Sequence, residues 1–104
     1  MSAVVQMSIF PLDKGPSLSG YVKDAVAEIE HSGLPHAVGP MGTVIEGEWG
    51  EIAALVGRCL ETMGRSSERV YLTLAVDWRR GPHGRLEGKI ASLEGKLGHG
   101  VRRR

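Results

Sequence analysis

Two stretches of the sequence alternate with the two-residue period of a β-strand, and they constrain the fold most. The first covers residues 3–10, and its side chains predicted to face a core are Val5, Met7 and Ile9. The second covers residues 69–77, and its aliphatic face consists of Val70, Leu72, Leu74 and Val76. The opposite faces, here called the open face, mix polar and apolar residues: Val4, Gln6, Ser8, Phe10, Tyr71, Thr73, Ala75 and Asp77. Each strand therefore has one side suited to a core and one half-polar side.

Three other stretches carry apolar residues at helical spacing. The first consists of Val22, Ala25, Val26 and Ile29, and Gly33 follows where a left-handed helix end is expected. The second runs from Ile52 to Met63 and closes near Gly64. The third follows the last strand and consists of Leu86, Ile90, Leu93 and Leu97. The sequence therefore predicts three amphipathic helices, and a loop at residues 81–84 precedes the last of them.

A short hairpin completes the predicted order of elements. Residues 36–38 and 43–46 are strand candidates, and residues 39–42 supply the turn. The order β-α-β-β-α-β-α predicts the α+β class and a ferredoxin-like βαββαβ sandwich with an extra C-terminal helix. We expect residues 1–104 to form one domain, with residues 99–104 as a peripheral tail. The open face would then lie away from the helices, where it suits a subunit interface that encloses a ligand site.

The charge balance argues against nucleic acid as a partner. The chain has 13 Lys and Arg against 12 Asp and Glu, and three of the arginines form residues 102–104. Because the remainder of the chain is slightly acidic, an electrostatic grip on a phosphate backbone is not expected. No segment approaches the roughly 20 apolar residues of a membrane span, and no signal peptide is evident. We therefore expect a cytoplasmic protein without a membrane partner.

Side chains that commonly bind metals or act as nucleophiles are sparse and scattered. Cys59 is the single cysteine, so a disulfide within the chain is excluded, and its place in an apolar helical pattern predicts a small core residue. The four histidines lack the spacing of a metal site. No nucleophile motif, phosphate loop or pair of catalytic carboxylates is evident. We therefore expect no enzyme activity, no catalytic residue, no metal and no cofactor.

Three segments together resemble a known family. They are Ser-Ile-Phe-Pro at residues 8–11, the run from Ser32 to Gly47 with its Gly-Pro-Met-Gly-Thr turn, and residues 77–93, which begin Asp-Trp-Arg-Arg. They resemble the small thiamine-binding proteins, a family once grouped only as conserved and uncharacterised. The resemblance extends from residue 3 to about residue 98. It implies a ferredoxin-like domain assembled as a dimer of dimers, hence a homotetramer.

The resemblance also directs attention to an acidic residue on the open face. Thiamine joins a permanently cationic thiazolium to a flat aminopyrimidine, so its pocket needs a carboxylate or aromatic face and polar edges. Glu46 is the first candidate for the cation; alternatively, it begins the next helix and interacts with the helix dipole. Asp77 could accept from the pyrimidine amine, or it could pair with Arg79 or Arg80.

Three hydroxyl residues complete the candidate ligand-binding set. Ser8, Thr43 and Thr73 lie on predicted strands, and each hydroxyl can both donate to and accept from a heterocycle. Alternatively, they only fill the strand surface. At most one of Trp49, Tyr71 and Trp78 is expected to contact a ligand. The predicted function is non-enzymatic binding of thiamine or its hydroxymethylpyrimidine moiety; the alternative is a regulatory or scaffolding oligomer that senses another metabolite.

Overall fold

The computed structural model describes residues 2–15 and 19–80. Its elements, in chain order, are β1 (Ser2–Pro11), α1 (Ser19–Ser32), β2 (His36–Gly39), β3 (Gly42–Glu48), α2 (Trp49–Gly64) and β4 (Val70–Arg79). This order confirms the predicted α+β class and is that of a ferredoxin-like βαββαβ sandwich. The predicted loop at 81–84, the third helix at 86–97 and the tail at 99–104 lie outside the described residues.

The four strands form one antiparallel sheet in the order β2-β3-β1-β4. In the central strand β1, Val5 lies opposite Ile45 of β3 and Val76 of β4. Directly opposed residues place their side chains on the same face of a sheet. The core face predicted for β1 is confirmed, because its alternate residues are nearly inaccessible: Ala3, Val5, Met7 and Ile9.

Both described helices pack on this core face. The buried stripe of α2 consists of Ile52, Leu55, Cys59 and Met63, and α1 contributes Ala25 and Ile29. Gly33 follows α1 with φ 74°, the left-handed conformation predicted for it. α2 begins at Trp49, three residues before the first predicted position, because the apolar pattern that marks it starts only at Ile52. The core therefore lies between the two helices and one side of the sheet.

Cys59 belongs to this core, as predicted from the sequence. Its side chain is fully buried, and its thiol donates to the carbonyl oxygen of Ala25 at 3.8 Å. Burial raises the pKa of the Cys59 thiol to about 11, and the nearby Glu28 carboxylate adds to the increase. A thiol with so high a pKa carries little thiolate near neutral pH, so its environment is that of an inert structural residue.

Asp13 ties the loop after β1 to the segment before β4. Its carboxylate accepts hydrogen bonds from the Ser67 hydroxyl and, at 2.8 Å, from the backbone N–H of Glu68. The hydrogen bond from Ser67, followed by that from Glu68, holds the pKa of Asp13 below its usual 3.8. Because the folded state favours the ionised form, the resulting stability is complete above the unfolded pKa and is lost as the pH falls through the lower folded pKa.

Replacing Asp13 by Asn should therefore lower the melting temperature at pH 7, where the wild-type carboxylate is ionised. The difference between the two proteins should shrink as the pH falls below about 4, because the wild type then loses the same charge. Thermal melts at pH 7 and pH 3 measure both differences. Asp24→Asn, at an exposed position of α1, is the control and should change neither. A deficit of equal size at both pH values would contradict the role assigned to the charge.

Candidate functional site

The side of the sheet away from the helices carries two acidic residues in one row. Val4 of β1 lies opposite Glu46 of β3 and also opposite Asp77 of β4. Because opposed residues share a face, these three side chains project from the open face. Neighbouring strands are about 4.8 Å apart, so the two carboxyl-bearing residues are separated by roughly twice that distance. One end of the open face is therefore acidic, and in this row Val4 lies between the two acidic residues.

The next rows of the same face, from Gln6 towards Phe10, contain no carboxylate. Gln6 lies opposite Val44 and Ala75, and Ser8 lies opposite Thr73. Successive rows on one face are about 6.8 Å apart, so the hydroxyl row lies roughly 14 Å from the acidic row. Beyond it, the rings of Phe10 and Tyr71 pack with their centroids 5.6 Å apart. Chemistry along the face thus changes from acidic, through amide and hydroxyl, to aromatic.

The two acidic residues differ in their exposure and contacts. Glu46 is only 4% exposed, and its backbone N–H donates to the carbonyl oxygen of Pro35 at 2.9 Å. The side chain of Asp77 is 38% exposed, and its Oδ1 lies 3.7 Å from Nε of Arg79. Each of the two acidic residues also makes a further interaction. Asp77 is therefore the more accessible of the two groups, and its predicted pairing with Arg79 is confirmed.

The alternative role for Glu46, at the start of a helix, is wrong. The residue lies inside β3, and α2 begins at Trp49 with Glu48 in the N-cap position. Helix-dipole effects fall off within the first turn, where the acidic residue of α2 is Glu51. The position of Glu46 is thus determined by the sheet register rather than by the helix.

Thr43 does not share the open face with the other candidates. It lies opposite Met7, a core residue, and is 6% exposed. Thr43 and Glu46 are three positions apart on one strand, and an odd separation places two side chains on opposite faces. The grouping of Thr43 with Ser8 and Thr73 in an open-face site is therefore corrected: Thr43 faces the helices.

Two shallow depressions lie beside Ser8, Thr73 and Asp77, whereas Glu46 borders a separate depression beside Leu34, Pro35, Gly47 and Glu51. One has a volume of about 300 Å³ and lies beside Gln6, Ser8, Met41, Thr73, Leu74 and Ala75. The other has a similar volume and lies beside Val4, Val5, Gln6, Val44, Ala75, Val76 and Asp77. Gln6 and Ala75 border both depressions, so together they form one groove from the hydroxyl row to the Asp77 side of the acidic row. The volume of each depression stands at the lower end of the range typical of small-molecule sites, about 300–1,000 Å³.

Gln6 has a central position in this groove, although it was not among the predicted ligand-binding residues. It is exposed, and its amide can donate and accept at once. The two-residue period of β1 places Gln6 on the open face. This period is the sequence signal that could have identified Gln6 as a candidate. Of the three aromatic candidates, Tyr71 lies on the open face, whereas Trp78 lies opposite the core residue Ala3 and Trp49 begins α2.

The described residues lack two features that would indicate other kinds of site. Residues 2–15 and 19–80 contain no cluster of three or more His, Cys, Asp or Glu side chains that could hold a metal ion. Neither described helix combines the length and the apolar composition that a membrane span requires. The described charged groups of the open face are the carboxylates of Glu46, Glu48 and Asp77 and the guanidinium of Arg79, because Glu48 and Arg79 both lie opposite Ser2. Carboxylates outnumber the guanidinium, and the amide and hydroxyls add hydrogen-bonding groups, so the face suits a ligand that carries positive charge and hydrogen-bonding edges.

Sequence comparison identifies relatives over almost the whole chain. The family described as "Thiamine-binding protein" matches residues 5–94. The UPF0045 protein Mb1933 of Mycobacterium bovis is 37% identical over 95 residues, which cover 90% of this chain and 93% of that protein. The UPF0045 protein MJ1052 of Methanocaldococcus jannaschii is 33% identical over 90 residues, covering 86% of this chain and 90% of that protein.

Solved structures share the same fold. The crystal structure of MJ1052 aligns with a TM-score of 0.81 and 33% identity, covering 88% of this chain and 95% of that one. TM0486 of Thermotoga maritima, described as a candidate thiamine biosynthesis/salvage protein, aligns with a TM-score of 0.79 and 25% identity. That alignment covers 89% of this chain and 99% of TM0486. The ferredoxin-like fold class is therefore shown both by the element order and by these neighbours.

Proposed function

Because the chain belongs to the family of thiamine-binding proteins, we propose that it binds thiamine or its hydroxymethylpyrimidine moiety on the open face without catalysing a reaction. The observation that carries the proposal is the groove that connects the acidic end of the face to its amide and hydroxyl rows. A two-ring ligand with one cationic and one hydrogen-bonding ring matches that change in chemistry along the groove.

The acidic row supplies the site for the thiazolium. A cation above Val4 would lie roughly 5 Å from the strands that carry Glu46 and Asp77. At that distance and an effective dielectric near 20, each carboxylate contributes about 3 kcal/mol before desolvation is subtracted. Asp77 is exposed enough for direct contact. Glu46 is nearly buried, so its charge acts chiefly through the field that it produces at the face.

The amide and hydroxyl rows supply partners for the pyrimidine. Gln6, Ser8 and Thr73 can each donate and accept, which suits a ring with an amine donor and ring-nitrogen acceptors. Gln6 and Thr73 are exposed and Ser8 is half-buried, so all three are accessible from the groove. In this arrangement, the acidic row binds the charge and the central rows orient the flat ring.

A second subunit would close the groove, which is open in the single chain. The open face includes apolar side chains, such as Tyr71 at 50% exposure, that association would remove from water. We therefore propose a homotetramer, a dimer of dimers, in which the ligand sites are bounded by two subunits. Light scattering should give the mass of four copies of the 11.2 kDa chain. A single-copy mass at micromolar concentration would contradict the shared site.

Calorimetric titration of ligand-stripped protein with thiamine tests the proposed function. We expect saturable heat for each chain and an affinity that falls as the salt concentration rises, because the carboxylate–cation attraction is screened. Hydroxymethylpyrimidine, which has no permanent charge, should bind with less salt dependence. No heat at millimolar concentrations of either ligand would contradict the proposal.

The same half-apolar face also supports a second candidate, a regulatory or scaffolding oligomer that senses another metabolite. Its central rows are neutral and could accept a ligand with no positive charge. A thermal-shift panel of metabolites separates the two candidates. Stabilisation by another compound, with no response to thiamine, selects the second.

A further inference from the structure

A further cavity lies mainly on the side of the sheet that faces α1, and it shares Ser8 and Met41 with the depression beside Thr73 on the open face. It has a volume of about 340 Å³ and lies between α1, the end of β1 and the β2–β3 turn. The apolar side of its lining includes Met7, Ile9, Val22, Val26 and Ile29. None of the described residues that line it is charged. This volume lies within the range of small-molecule sites, about 300–1,000 Å³, and exceeds what a packing defect usually leaves.

One buried hydroxyl borders this cavity. Thr43 is 6% exposed and lines the cavity wall, and its side chain makes no hydrogen bond to another residue in the described part of the chain. Buried polar groups in native structures are almost always paired, so a hydroxyl of this kind needs an explanation. A molecule in the cavity that donates to or accepts from Thr43 would provide one.

The edge of β1 offers further polar groups at the same place. Pairing of β1 with β4 continues to Pro11, whereas its pairing with β3 stops at Met7. The backbone N–H of Leu12 donates to the carbonyl oxygen of Arg69, the residue before β4, at 2.8 Å. Because backbone groups alternate between the two neighbours of an antiparallel strand, those of Ile9 point to the side where β3 has ended. The mouth of the cavity thus carries a peptide group beyond the paired part of the sheet.

We propose that this cavity is a second binding site, for small uncharged and mainly apolar molecules that carry one hydrogen-bonding group. The apolar wall binds the body of the ligand, and the Thr43 hydroxyl binds its polar group. Thiamine does not suit this site, because a permanent cation would lose its hydration without meeting a carboxylate. The cavity and the open-face groove therefore select ligands of different charge, and this proposal does not require the proposed thiamine function to be correct.

Methyl NMR of the full chain with phenol and toluene tests the proposal. The Met7 methyl group reports on the cavity, and Met63, buried in α2 away from it, is the internal reference. Both probes should shift the Met7 signal in a saturable manner and leave the Met63 signal in place. Absence of a Met7 response to both probes up to their solubility would overturn the proposal.

Two variants assign the site. Thr43→Val keeps the shape of the side chain and removes the hydroxyl, so phenol should bind about 5-fold more weakly while toluene binds as before. Val26→Phe, which fills the cavity from α1, should abolish the Met7 response to both probes in a protein that still melts cooperatively. Equal phenol affinity in wild type and Thr43→Val would refute the role of Thr43. Persistence of both responses in Val26→Phe would place the probes elsewhere.

Discussion

Replacing Glu46 by Gln is expected to weaken thiamine binding by about 5- to 30-fold, which corresponds to about 1–2 kcal/mol. The substitution removes one of the two negative charges beside the proposed thiazolium position and keeps the size of the side chain. The expected loss is smaller than the gross attraction of about 3 kcal/mol, because an ion pair recovers only part of its desolvation cost. Titration calorimetry at low ionic strength measures the change.

An uncharged ligand separates this electrostatic effect from structural damage. Hydroxymethylpyrimidine has no thiazolium, so Glu46→Gln should change its affinity by less than about 2-fold. Because Glu46 is nearly buried and makes further interactions, a thermal melt must show that the variant is folded. Glu61→Gln, at an exposed position of α2, is the matched control and should leave both affinities unchanged. Equal losses for both ligands in Glu46→Gln would show that the carboxylate does not act through charge.

Replacing Gly42 by Ala is expected to destabilise the fold by about 3 kcal/mol. Gly42 begins β3 with φ 144°, a conformation that L-residues rarely adopt. A Cβ at this position would lie 2.7 Å from the carbonyl oxygen of Met7, a backbone atom of the central strand. Relief of this clash requires β1 and β3 to separate where their pairing ends. The melting temperature should therefore fall by more than about 10 °C.

Gly57→Ala is the matched control for this substitution. Gly57 lies inside α2, and among the described residues a Cβ there would have no atom within 4 Å apart from the local helix backbone and its chain neighbours. Because Ala is the better helix former, Gly57→Ala should stabilise the protein by up to about 1 kcal/mol. Thermal or urea unfolding of both variants gives the comparison. A loss of stability in Gly42→Ala no larger than about 0.5 kcal/mol would contradict the close approach of the two strands.

Strand alternation was sufficient to predict the two faces of the sheet. The period of β1 separated its core residues from the open face, whereas in β4 Leu72 and Leu74 are half-buried and Val76 is 43% exposed. The observed register places Val4 and Asp77 on one face, as predicted. The short hairpin strands were also predicted, although β3 continues two residues further, to Glu48. These features were predictable because side-chain direction in a strand depends only on sequence parity.

The composition of the candidate site was harder to predict. Thr43 was grouped with Ser8 and Thr73 by its hydroxyl, although its odd separation from Glu46 already implied the opposite face. The burial of Glu46 and its place in one row with Asp77 depend on the order of the strands, which no single strand encodes. Local period therefore predicts which way a side chain points, and the pairing of distant strands decides which side chains meet.

A crystal structure of the protein grown with thiamine tests most directly whether the open face is the ligand site. We expect electron density for two rings above β1, with the thiazolium beside Asp77 and Glu46 and the pyrimidine near Gln6. Density for thiamine solely in the cavity beside Thr43, or an open face fully covered by protein side chains without ligand, would contradict this expectation.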